Sequence, residues 1–161
     1  MSVSYAKMKR LFLRQSYLDA WEDYRRALRK KSFWRWDYII FTVSNEEQAE
    51  AYRREIDYRL ENGLLPKKTK YVVLPDPDGK RVGSGGATFN VLKYLVELEG
   101  TEDVLKKRIL VIHSGGDSKR VPQYSACGKL FSPVPRELPN GKASTLFDEF
   151  MIATAGIPGR M

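Results

Sequence analysis

The sequence predicts an α/β fold with a largely parallel sheet and an added N-terminal helix. Three observations predict it. Three short runs rich in β-branched and aromatic residues recur along the chain, amphipathic helical segments separate them, and glycine-rich stretches follow the second and third runs. Of the 161 residues, 42% are hydrophobic, which suits one globular core, and the 12% aromatic share argues against disorder.

Residues 1–36 form the first region, a basic amphipathic helix. Tyr5, Met8, Phe12, Leu18, Trp21, Tyr24 and Leu28 recur mostly at three- and four-residue spacing and predict one apolar stripe. This segment holds ten Lys and Arg against three Asp and Glu, whereas the remainder holds 18 against 17, so nearly all of the net charge of +8 lies here. A nucleic-acid-binding face would normally extend across the fold, so the near-neutral remainder argues against that function. Trp34 and Trp36 are expected to seal the helix against the sheet.

Residues 37–161 form the second region. Tyr38 to Val43 reads as a buried strand. Ser44 and Glu47 predict a capping box opening a helix that runs to about Glu61, and Asn62-Gly63 stops it. Tyr71 to Leu74 is a second strand, followed by a turn-rich loop, PDPDGKRVGSGG, and a helix from Ala87 to Glu97. Ile109 to Ile112 is a third strand, a second Gly- and Ser-rich loop follows, and Ser144 to about Ala155 is a last helix. The chain is expected to be the N-terminal part of a longer domain and to be inactive alone.

In parallel sheets, the loops leaving the carboxyl ends of strands bind ligands, and both glycine-rich stretches sit there. In the first, Gly83, Ser84, Gly85, Gly86 and Thr88 offer close backbone approach, hydroxyls and the amino end of a helix, which suits an anion. In the second, Gly115, Gly116, Asp117, Ser118, Lys119 and Arg120 lead through Pro122 and Ser125 to Gly128-Lys129. Two glycines, hydroxyls and three cations are what a triphosphate needs. A P-loop is excluded, because Gln123 stands in place of its first glycine and Leu130 in place of its Ser or Thr. A dinucleotide fingerprint is opposed by Thr88 at its third glycine and by a strand that ends early, at Leu74.

Other residues carry less. His113, the only histidine, reads as a loop-orienting residue more than a base. Cys127, the only cysteine, lacks a Cys-His pairing for nucleophilic work and excludes an internal disulfide, which points to a reducing compartment, the cytoplasm. Asp76 and Asp78 fit turn chemistry. No apolar stretch approaches a membrane span, and the N-terminus lacks a signal-peptide pattern.

The string HSGGDSKRVPQYSACGKLFSPVP resembles the signature of sugar-nucleotide pyrophosphorylases, with Gly115, Gly116, Arg120, Pro122 and Lys129 at the motif positions and Gly128 where the wider family carries proline. Together with DPDGKRVGSGGATFNVL it is similar to the L-fucose-1-phosphate guanylyltransferase branch, over about residues 36–161. The resemblance implies a Rossmann-like nucleotidyltransferase sheet, here truncated, and transfer of GMP from GTP to L-fucose 1-phosphate. It implies that Arg120 stabilises the triphosphate and departing pyrophosphate, and that Lys129 contacts the α-phosphate or the sugar phosphate. The glycines, with Ser118, approach the nucleotide. It also implies Mg²⁺, with ligands expected beyond Met161. Another sugar phosphate or nucleotide, such as UTP, stays open on the residues alone.

Overall fold

The computed structural model describes residues 4–30, 33, 35–115, 128–138 and 141–161. Helix α1 (Tyr5–Arg29) leads to strand β1 (Tyr38–Val43), helix α2 (Glu46–Glu61) and strand β2 (Lys70–Pro75). Helices α3 (Gly83–Glu99) and α4 (Thr101–Val104) precede β3 (Ile109–His113). A 3₁₀ turn, Lys129–Phe131, then opens a hairpin of β4 (Pro133–Glu137) and β5 (Ala143–Thr145), and α5 (Leu146–Thr154) follows. The larger sheet has the order β2-β1-β3, all parallel, and β4 and β5 pair antiparallel. The molecule is thus mixed α/β with a small parallel sheet, as expected. The short helix α4 and the hairpin are additional.

Strand β1 is buried at all six positions, as befits the central strand of a sheet covered on both faces. One face packs Ile39, Phe41 and Val43 against Tyr52 and Ile56 of α2, Phe147 and Ile152 of α5, and Tyr24 of α1. The other packs Tyr38 and Ile40 against Val91 and Leu95 of α3. Trp36 joins the first core, whereas Trp34 lies outside the described residues.

Three expectations are corrected. The predicted stripe on α1 is not one stripe. Tyr24 is buried, and Trp21 and Leu28 are partly buried, but Tyr5, Met8, Phe12 and Leu18 are exposed, Tyr5 at 78%. At 3.6 residues per turn each three-residue step falls short of a full turn, and the six-residue step from Phe12 to Leu18 adds to the drift, so the docked and exposed sets end about 180° apart around the helix. The cap of α2 is Asn45, not Ser44. Asn45 Oδ1 accepts from Gln48 N, and Gln48 Oε1 accepts from Ser44 N at 2.9 Å. Finally, α3 begins at Gly83, four residues earlier than its predicted start, so the first glycine stretch is the opening turn of a helix and not a loop.

Helix α5 opens with a capping box. Thr145 Oγ1 accepts from Asp148 N, and Asp148 Oδ2 accepts from Thr145 N at 2.8 Å. Asp148, 2% exposed, also pairs with Arg59 of α2, itself 3% exposed, through Nε at 2.7 Å and Nη2 at 3.0 Å. The guanidinium lies 5.0 Å from the Phe131 ring and 5.4 Å from Phe147. Burial acts to lower the pKa of Arg59, but its bonds to Asp148 and Glu55 outweigh that and raise it. A buried ion pair this well hydrogen-bonded ties α2, α5 and the Lys129–Phe131 turn together. Among the described residues no helix is long and apolar enough to cross a membrane.

Candidate nucleotide site

The carboxyl ends of the three parallel strands converge on a cavity of about 120 Å³. Ser44 enters it after β1, Asp76 after β2, and His113 and Gly115 at the end of β3; Gly83, Ser84 and Ala87 of α3 close one side, with Arg81 beside them. The two glycine-bearing stretches, separate in sequence, therefore meet at one place.

The opening turn of α3 bears on anion binding. Its N-cap, Val82, supplies no side-chain bond, and the first turn contains no acidic residue. The amino-end N–H groups and the positive end of the helix dipole are thus left to other partners. The glycines here differ in what demands them. Gly83 has φ +69°, the left-handed region. A Cβ on Gly86 would stand 2.6 Å from Val82 Cβ. At Gly85 a Cβ would meet nothing within 4 Å, and at Gly115 only ordinary contacts at 3.7 Å. Packing among the described residues does not call for glycine at these last two positions.

Thr88 and His113 form a directed chain of hydrogen bonds. Thr88 Oγ1 donates to the Ser84 carbonyl at 2.9 Å, so toward His113 Nε2, 3.2 Å away, it acts as acceptor. In the neutral ring the proton then sits on Nε2, and Nδ1 accepts from Thr42 Oγ1 at 2.9 Å. Both ring nitrogens are engaged, which fits the orienting reading of His113. Thr88 thus joins the opening turn of α3 to the end of β3 beside the cavity.

Lys129 is exposed and opens a 3₁₀ turn, beside a buried Gly128 with φ +72°. A Cβ on Gly128 would overlap Tyr52 Oη and stand 2.7 Å from Gln48 Nε2. Tyr52 Oη also lies 2.5 Å from Ser114 Oγ. Gly116, Asp117, Ser118, Lys119 and Arg120 lie outside the described residues, as do Pro122, Ser125 and Cys127. Asp76 and Asp78 shape a 3₁₀ turn, Pro77–Gly79, in which Asp78 and Gly79 both have positive φ. That is the turn chemistry expected, although Asp76 also reaches the cavity.

Residues 102–161 match the family model described as the fucose pyrophosphorylase domain. A mouse (Mus musculus) fucose-1-phosphate guanylyltransferase is 41% identical over 101 residues, covering 62% of this chain and 17% of the relative. The match to the fucose pyrophosphorylase domain covers the last 60 residues of the chain. The human (Homo sapiens) fucose-1-phosphate guanylyltransferase is 39% identical over 100 residues, with 62% and 16% covered. A bifunctional fucokinase/GDP-fucose pyrophosphorylase from Arabidopsis thaliana is 36% identical over 138 residues, with 72% and 13% covered. The chain thus spans between about one-eighth and one-sixth of the length of these relatives. No solved structure matches it.

Several residues around this cavity and its support escaped the sequence reading: Ser44, Arg81, Gln48 and Tyr52. For the last two a signal existed. On α2 the buried positions are Gln48, Ala49, Tyr52, Ile56 and Arg59, so three residues bearing polar groups share the apolar face. A polar group on a buried helical face must have a partner, and the partners here are the loop ends and Asp148. For Ser44 and Arg81 the signal is only their position after a strand and before a helix.

Proposed function

We propose that this chain is part of an enzyme that transfers GMP from GTP to L-fucose 1-phosphate. A phosphate oxygen of the sugar phosphate attacks the α-phosphorus, the α–β bridging bond breaks, and pyrophosphate leaves with its electron pair. The protein's task in such a transfer is positioning and charge neutralisation. In this reading the opening turn of α3, with Gly83, Ser84, Gly85 and Gly86, cradles the nucleotide against Gly115 and Gly116. Ser118 and Lys119 contact phosphate, with Asp117 in the same loop. Arg120 steadies the triphosphate and the departing pyrophosphate, and Lys129 engages the α-phosphate or the sugar phosphate. The sheet would be that of a Rossmann-like nucleotidyltransferase domain over residues 37–161, preceded by the basic helix of residues 1–36, in a cytoplasmic protein.

The observation that supports this reading best is the convergence of the two glycine-bearing stretches on one cavity, in a chain whose last 60 residues match the fucose pyrophosphorylase domain. Magnesium is proposed from the family resemblance. The described residues gather no group of three His, Cys, Asp or Glu side chains for a metal, so no step is routed through it. The test is pyrophosphate release by the protein expressed from its complete gene, with GTP, Mg²⁺ and L-fucose 1-phosphate. Release that requires both substrates supports the proposal. Release only with UTP and glucose 1-phosphate would keep the reaction and discard the substrate pair.

A further inference from the structure

We propose that Tyr52 is a positioning residue for this transfer: its hydroxyl clasps Ser114 to Gly128 and thereby fixes the backbone that presents Lys129. The inference rests on the function proposed above.

Tyr52 is fully buried, at 0% exposure, so it touches no substrate and cannot be a catalytic residue. Its ring is held edge-on by Phe41 at 6.3 Å and by Phe131 at 4.8 Å. Phe131 closes the 3₁₀ turn that Lys129 opens, and the Arg59 guanidinium fixes it from the other side at 5.0 Å. The hydroxyl of a buried tyrosine requires a partner, and here it has Ser114 Oγ at 2.5 Å. Ser114 is itself anchored, its N–H donating to the Thr42 carbonyl at 2.9 Å. The same oxygen fills the space that any side chain at Gly128 would need, so Gly128 must be glycine both for its φ of +72° and for this contact. Gln48, one helical turn earlier on α2, completes the seat: its Nε2 abuts Gly128, while its Oε1 accepts from Ser44 N. One helix face thus grips the end of β3 and the start of the Lys129 turn together. In a reaction whose rate depends on placing charges within fractions of an ångström, that grip sets where Lys129 stands.

Tyr52→Phe removes the hydroxyl and keeps the ring packing, so the protein should still fold. We expect kcat/KM for pyrophosphate release to fall about tenfold or more, with a melting temperature close to that of the wild type. Ser114→Ala should act in the same direction, and the double variant should lose less than the product of the two single losses, because both singles remove the Tyr52–Ser114 bond. A wild-type kcat/KM in Tyr52→Phe, or effects of the two substitutions that multiply, would overturn the inference. Hydrogen exchange separates this from a failure of the proposed function. If the wild-type protein releases no pyrophosphate with any substrate pair, the functional reading fails. The clasp is then decided by exchange in Tyr52→Phe. Faster exchange confined to residues 113–115 and 128–131 upholds it, and an unchanged pattern overturns it.

Discussion

At the amino-terminal end of the parallel sheet, charged side chains close on one another; at its carboxyl end, backbone and hydroxyl groups are left facing a cavity. Lys70, which opens β2, bonds Glu99 at 2.9 Å and Tyr38 Oη at 2.8 Å, and Lys107 reaches the other oxygen of Glu99 at 3.3 Å. Tyr38 also donates to Glu99. Bonds from Tyr38, Lys70 and Lys107 hold the Glu99 carboxyl down at about 2, and Lys70 is raised correspondingly by Tyr38 and Glu99. Each group there answers another. At the opposite end, among the described residues, α3 begins without a side-chain cap, Gly85 faces open space, Gly115 has only ordinary contacts, and His113 orients the start of α3 through Thr88. The same three strands therefore end in a charged cluster on one side and at a cavity on the other. The proposed function places the ligand at the second.

The foundation under the carboxyl end should give the largest response. Asp148→Ala leaves the Arg59 guanidinium buried without its main partner, which should cost about 3–5 kcal/mol in denaturant unfolding. A loss no larger than that of a surface substitution would mean that the α2–α5 brace does not carry this end of the fold. The amino-terminal cluster should respond next, with a pH signature. Because the folded pKa of Glu99 lies below its ordinary value of 4.5, its contribution is present above that value and lost as pH falls toward about 2. Glu99→Gln should therefore destabilise at pH 7, and the gap from wild type should close between those two values. A gap constant with pH would contradict the cluster.

Two smaller effects sharpen the contrast. Gly85→Ala should stabilise by about 0.5–1 kcal/mol, since helix is preferred and the space is open, yet it should impair nucleotide use. Stabilisation without loss of activity would show that the glycine serves no ligand. Phe12→Ser, on the exposed half of α1, should change stability by less than about 0.5 kcal/mol. A larger loss would mean that this stripe is covered after all.

Much of the fold was legible where one physical signal dominated. Strand β1 could be bounded from Tyr38 to Val43 because a continuous run of β-branched and aromatic residues has only a buried strand as its home. The end of α2 followed from Asn62-Gly63, and Gly63 has φ +67° as that stop requires. The opening of α3 was hidden because four residues of Gly-Ser-Gly-Gly have poor helix propensity. The docked Val91 and Leu95 extend the helix through them. The β4–β5 hairpin was hidden because Pro133 and Pro135 argue against a strand, and among the described residues they lie in a sheet of two strands. At the site, the glycines and Lys129 were legible as residue types. The contact of Thr42 with His113 was not, because it depends on the register that sets these two residues side by side on β1 and β3.

Lys129 and the glycine turns are proposed to form one phosphate-handling centre for guanylyl transfer to fucose 1-phosphate. The most direct test is GTP- and L-fucose-1-phosphate-dependent pyrophosphate release by Lys129→Ala, in the protein expressed from its complete gene, beside wild type of equal melting temperature. The expected result is a fall in kcat of about 10²–10³, the loss typical of removing one preorganised charge or donor from a transition state. Undiminished release by a folded Lys129→Ala variant would contradict it.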